Sequence, residues 1–215
     1  MEQLELATEE MQAARRYLYA LGQVLLGNEP TADRLAVDEE LLSEALAIVG
    51  LEDDGALAVA LAAAREDVDG TAALWTKLFI GPATPAATPW ESTYRSRSKA
   101  LFRQETLEVR NAYRAQGFLP RAYPRVADDH IALELGFMAA LAEKSLESLQ
   151  GGDGRAVRDA EEASLGFLND HLLRWIDDYA ADLSAQAPSS LYAALIQLIA
   201  RLARRDAAVI AQRFE

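Results

Sequence analysis

Apolar residues recur along this chain at intervals of three and four, the spacing of one helical face, with no period-two alternation. Met11, Ala14, Leu18, Leu21 and Leu25 form the first series. Thr8 offers it an N-cap, Glu9 and Glu10 suit the positive helix end, and Gly27-Asn28-Glu29-Pro30 stops it. A second series, Leu41, Leu42, Ala45, Leu46 and Val49, runs between Asp38 as N-cap and Gly50. The next helix is predicted from about Gly55 to Glu66. Asp69-Gly70 then restarts the chain into a short helix holding Trp75, Leu78 and Phe79.

Gly81 to Ser92 is the least helical stretch, with Pro82, Pro85 and Pro89 in one loop. Proline lacks an amide donor and pushes the residue before it out of the helical region, so an extended, stiff loop is expected. A helix resumes by about Thr106 and ends at Gly117, a left-handed C-cap. Phe118 to Ala127 is irregular. A long helix then starts at Asp128 or Asp129 and reaches about Gln150; its apolar residues point in several directions, which marks a central helix. Gly151-Gly152-Asp153-Gly154 reads as a flexible joint. Beyond it, helices are expected at about Arg155 to Asn169, Asp170 to Ala185 and Pro188 to Phe214. The pattern gives an all-α fold: one helical-bundle domain over residues 1–215, of about ten helices.

A chain of 215 residues with 51% hydrophobic residues can bury a sizeable core. Its net charge of -13 disfavours nucleic acid, whose phosphates need clustered Lys and Arg, and would draw a basic peptide. Cysteine is absent, which removes disulfides, thiolate metal sites and thiol nucleophiles. The acidic start Met1-Glu2-Gln3-Leu4-Glu5 does not read as a signal peptide, and no apolar run approaches the roughly 20 residues of a membrane span. A cytoplasmic protein without stable membrane insertion is expected.

Catalytic vocabulary is sparse. His130 and His171 are the only histidines. Asp129, His130 and Glu134 have a spacing compatible with a carboxylate-histidine metal site, but the spacing is unspecific and favours a helix start in which an aspartate caps and His130 fills the first turn. The paired Glu-x-x-His of a di-iron bundle and the His-Glu-x-x-His of zinc proteases are both missing. Gly-x-Ser-x-Gly and a P-loop are missing too. Trp75, Leu78 and Phe79 share one helical face and serve either as core or as the wall of a peptide groove. Trp90, between Pro89 and Glu91 in a loop, favours the groove.

These segments resemble the TorD/DmsD family of redox-enzyme maturation chaperones, more distantly related to NarJ. The resemblance rests on Leu78-Phe79-Ile80-Gly81-Pro82, Pro89-Trp90-Glu91-Ser92-Thr93-Tyr94, Thr106-Leu107-Glu108-Val109-Arg110 and the run from Asp129 to Met138. Phe167 to Trp175 and Leu191 to Leu195 continue it. It implies an all-helical cytoplasmic protein, with no cofactor or metal of its own. It also implies binding of the twin-arginine signal peptide, and often the body, of a molybdopterin-containing oxidoreductase, held as apoenzyme until cofactor insertion and before Tat export. Trp75, Leu78, Phe79, Pro89, Trp90, Asp129 and His130 match residues implicated in peptide binding. Two departures stand out: Ala83 replaces a tryptophan of some relatives, and Val126-Ala127-Asp128 replaces Glu-Pro-x before Asp-His. Relatives occur as monomers and as domain-swapped dimers, for which Gly151-Gly152 or Phe118 to Ala127 would be the hinge.

The chemistry of such a peptide, basic and then apolar, fits these residues. Glu91, Asp128 and Asp129 are expected to receive the arginines, and Trp75, Leu78, Phe79 and Trp90 to bury the apolar part. Two rival functions are a metal-dependent hydrolase using Asp129, His130 and Glu134, and a general helical assembly factor that binds a folded partner.

Overall fold

The computed structural model describes residues 8–81, 87–95, 104–120 and 126–215. They form α1 (Glu9–Gly27), α2 (Ala32–Leu35), α3 (Glu39–Ile48), α4 (Ala56–Glu66), α5 (Val68–Trp75), α6 (Glu91–Arg95), α7 (Gln104–Ala115), α8 (Ile131–Gln150), α9 (Gly154–Asp170), α10 (Ile176–Gln186) and α11 (Leu191–Gln212). A π-helical turn, Thr76–Ile80, extends α5, and a 3-10 turn, Leu172–Arg174, precedes α10. The expected all-α architecture holds. α2 and α6 are the helices without a counterpart in the sequence pattern, each too short to leave a periodic signal.

α1 and α8 are antiparallel, and their contacts hold one register along the pair. Glu9 meets Gln150, Arg16 meets Glu143, and Gly27 lies against Ala132. Small residues allow this approach: a Cβ at Gly27 would meet that of Ala132 at 2.7 Å. α8 buries residues on most of its sides, as expected of a central helix, and α9 and α11 close the bundle around it.

Local capping follows the sequence where side chains have no competing partner. Thr8, Asp38, Asp153 and Ser190 each accept an amide of the first turn that follows. Gly117 adopts the left-handed conformation, φ 70°, expected of a C-cap. The Gly151–Asp153 link is a hydrogen-bonded turn, with Asp153 N donating to Ser148 O at 2.9 Å. Pro82 and Pro85 fall outside the described residues, as do 121–125 of the second irregular stretch.

Two boundaries differ from expectation. The helix expected from Asp170 to Ala185 breaks at His171, whose backbone (φ -125°, ψ -85°) is non-helical, and continues as the 3-10 turn and α10. α8 is capped by His130 and by neither aspartate: Ala132 N donates to His130 Nδ1 at 3.1 Å. The reason is competition, since both aspartates are held by other elements, as the site geometry makes plain.

Candidate functional site

Pro89-Trp90-Glu91 and Asp129-His130-Ile131 cross as one short antiparallel bridge. Glu91 N donates to Asp129 O at 3.0 Å, and Ile131 N donates to Pro89 O at 2.9 Å. The second bond satisfies an amide that the start of α8 would otherwise leave orphaned. The Trp90 and His130 rings stand edge to face, with centroids 5.4 Å apart. The proline loop is thereby tied to the central helix, although the two segments lie far apart in sequence.

Behind this bridge the carboxylates are buried and already engaged. Asp129, fully buried, accepts Ser92 N at 3.0 Å and so caps α6 from across the chain. Glu91 is also fully buried; Arg95 donates to it and His171 Nδ1 lies 3.1 Å from its Oε2. Asp128 pairs with Arg110 at 2.7 Å, and its carbonyl accepts the Tyr113 hydroxyl at 2.9 Å. Glu91 and Asp128 are thus already paired with Arg95 and Arg110, whereas Asp129 keeps its Oδ1 buried without a hydrogen-bond partner. In this conformation Glu91 and Asp129 also position the loop that carries Trp90.

Glu134 sits deeper, with Trp175 Nε1 donating to its Oε2 at 3.2 Å. Burial pushes its carboxyl well above the usual range, and the nearby Glu91 and Asp129 add to the shift. Burial lowers His130 to about 4 against the opposing pull of Asp129. A neutral His130 is what its capping bond requires, because Nδ1 must keep a lone pair for Ala132 N. Asp129, His130 and Glu134 do not converge as a metal-ligand trio. Among the described residues no group of three or more His, Cys, Asp or Glu side chains is arranged to hold a metal ion.

The low His130 value has a measurable consequence. The folded state prefers the neutral imidazole, so this contribution to stability is complete above pH 6.5 and is lost as pH falls from 6.5 towards 4. It amounts to at most about 3 kcal/mol, and less for the partial exposure of the ring. His130→Asn keeps a capping acceptor without the titration. Urea midpoints of the wild type should fall between pH 6.5 and 4 more steeply than those of His130→Asn.

Leu78 and Phe79 are buried at 5% and 8% exposure, and the Phe79 ring packs edge-on against Tyr192. They belong to the core, one of the two roles their spacing allows. Trp75 is half-buried; its Nε1 donates to Leu26 O at 3.4 Å and its ring packs on Phe79. It anchors the π-helical turn to the end of α1. Trp90 and His130 remain partly exposed, while Pro89 is buried.

Beside the start of α8 opens a cleft of about 510 Å³. Phe118, Leu119 and Leu133 supply apolar surface, and Gln23, Val24 and the C-cap Asn28 come from the end of α1. Leu119 is 72% exposed. α1 carries no basic residue in its last turn, so its negative dipole end at the cleft is unneutralised from within the helix. Next to Asn28, Glu29 is exposed. Asn28 Nδ2 already donates to Val24 O and Arg34 to Glu29 O. At this end the Glu29 carboxylate and the dipole of α1 are therefore what favour a cation, and the other end offers apolar surface. Its walls were not singled out from the sequence, because Leu119 and Val24 lack any periodic or motif signal. Arg95 also escaped notice, while Arg110 and His171 lie within runs that carry the family resemblance.

The chain belongs to the nitrate reductase delta subunit family, whose model matches residues 39–181. It is similar to chaperone protein TorD of Photobacterium profundum, 29% identical over 147 residues, 68% of this chain and 67% of that protein. It is also similar to the Tat proofreading chaperone DmsD of Salmonella typhi, 35% identical over 69 residues, 32% of this chain and 34% of that protein. The chain is thus a redox-enzyme maturation chaperone of the TorD/DmsD kind and not an enzyme.

Proposed function

We propose that this chaperone acts in the cytoplasm on the apo form of a molybdopterin-containing oxidoreductase. It binds the twin-arginine signal peptide, and the enzyme body as well, holding both until cofactor insertion and before Tat export. The observation that carries the reading is the cleft between the end of α1 and the start of α8, basic-seeking at one end and apolar at the other. Arginines approach Gln23, Asn28, Glu29 and the carbonyl end of α1, while the apolar segment lies along Phe118, Leu119 and Leu133. Trp90, His130, Glu91 and Asp129 hold the start of α8, whose Ala132 and Leu133 line this cleft, through the bridge to the proline loop.

Insertion into the bilayer is no part of the proposed cycle; no described helix is long and apolar enough to cross a membrane. Ordering a flexible peptide costs several kcal/mol, so micromolar or somewhat tighter affinity is expected, weak enough for release. Calorimetric titration with the twin-arginine signal peptides of molybdoenzymes from the same genome tests this. One peptide should bind selectively and more weakly as salt rises. Uniform failure of all such peptides, with the chain folded, would overturn the proposal in favour of recognition of a folded partner alone.

A further inference from the structure

α4 presents an uncharged face to solvent. Every residue from Ala56 to Ala64 is Ala, Leu or Val, and Ala56, Val59, Ala62 and Ala63 are exposed at helical spacing. Val59 is 73% exposed. Exposed positions of other helices carry charge, as Glu9, Glu10 and Arg16 do on α1 and Arg155, Arg158, Asp159 and Glu162 do on α9. A lone exposed apolar residue is ordinary, but a continuous apolar face in so charged a chain calls for a partner.

The face borders a cavity of about 680 Å³ between α4 and the turn joining α10 to α11. Leu46, Leu57, Ala60, Ala193 and Leu198 give it an apolar floor. None of its lining residues is shared with the cleft beside Trp90 and His130.

Charge identifies the occupant. Glu52 and Asp53 stand exposed at one end of α4, beside an Asp54 that Arg201 neutralises, and Glu66, Asp67 and Asp69 at the other. The last turn of α10, the negative end of that helix, contributes Ser184 to the cavity. The nearby basic groups are engaged: Arg201 with Asp54 at 3.2 Å, and Arg65 with Glu39 and the carbonyls of Leu35 and Val37. α4 is about 16 Å long at 1.5 Å per residue, the reach of a short peptide segment. An apolar strip with acidic groups at both ends complements a segment with basic groups at both ends.

We infer that α4 and this cavity form a second docking surface, separate from the cleft beside Trp90, for a client segment whose apolar residues are flanked by arginine or lysine. This rests on the reading that the chain binds a client polypeptide. It gives one bundle two grips on one client.

The probe is a short fluorescent peptide with a Leu/Ala centre and arginine pairs at both ends, followed by anisotropy. Full-length chain carrying Leu119→Asp is used, so that the cleft contributes little. The peptide should bind saturably, and Val59→Glu with Ala63→Glu should weaken it by at least about tenfold. Equal binding by that variant, or equal binding of a glutamate-flanked peptide, would overturn the inference. So would a dimer in sedimentation that the same substitutions dissociate, since the occupant would then be a second copy. Val59-dependent binding of the probe by a chain that ignores every twin-arginine peptide would sink only the proposed signal-peptide function.

Discussion

Asp206→Ala is expected to destabilise the fold by about 3–5 kcal/mol, the largest single-residue effect foreseen. Asp206 and Arg15 are almost completely buried, at 5% and 1% exposure, and form a close ion pair with Nε 2.6 Å from Oδ1. Tyr19 donates its hydroxyl to the other carboxylate oxygen at 3.0 Å. Arg15 also donates to Gln12, which reaches Glu161 on α9, and Glu161 is paired with Arg213. Removing the carboxylate strands a guanidinium among α1, α9 and α11. Burial works against its charge, and Asp206 is the main group that offsets this. Asp206→Asn keeps an acceptor for Tyr19 and should lose less. Urea unfolding checks both. A loss below about 1 kcal/mol in the alanine variant would mean that water reaches Arg15 and that the ion pair is no anchor.

That network shows where sequence reading stopped. Arg15 follows Ala14 on a helix whose polar positions look solvated, and nothing local reveals that it faces Asp206, 191 positions away. The helices themselves were legible, because α1, α3, α8 and α11 carry a periodic apolar face, and α1 and α3 a recognisable cap as well. The cap of α8 was misassigned for a non-local reason. Asp128 and Asp129 are the better capping residues in isolation, yet Arg110 and Ser92 N hold them, and the role passes to His130. Trp90 and His130 were legible as site residues through their loop and helix-start positions and through resemblance. That they share one bridge was not, nor that Glu91 beside Trp90 turns inward to Arg95 and His171.

The same contrast, between residues that hold the edge and residues that meet the ligand, decides which substitution best tests the cleft. Trp90→Ala removes a ring that packs on His130 and buries its own Nε1, so it disturbs the bridge as well as any peptide contact. Asp129→Ala uncaps α6 and has the same fault. Leu119 has no such duty: it is 72% exposed, lies just beyond Gly117, and faces the cleft. Leu119→Asp should leave the urea midpoint within about 0.5 kcal/mol of wild type, as surface changes do. It should nevertheless weaken the twin-arginine peptide by about 10- to 100-fold, because binding would bring a carboxylate against the apolar segment and desolvate it. The cleft and the Arg15–Asp206 pair lie towards opposite ends of α1, twelve residues or about 18 Å apart from Arg15 to Gly27. The two substitutions should therefore separate cleanly, Asp206→Ala lowering stability with affinity retained below the unfolding transition and Leu119→Asp doing the reverse. If Leu119→Asp bound the peptide at wild-type strength, the apolar segment would have to lie elsewhere, and the α4 face would be the next surface to block.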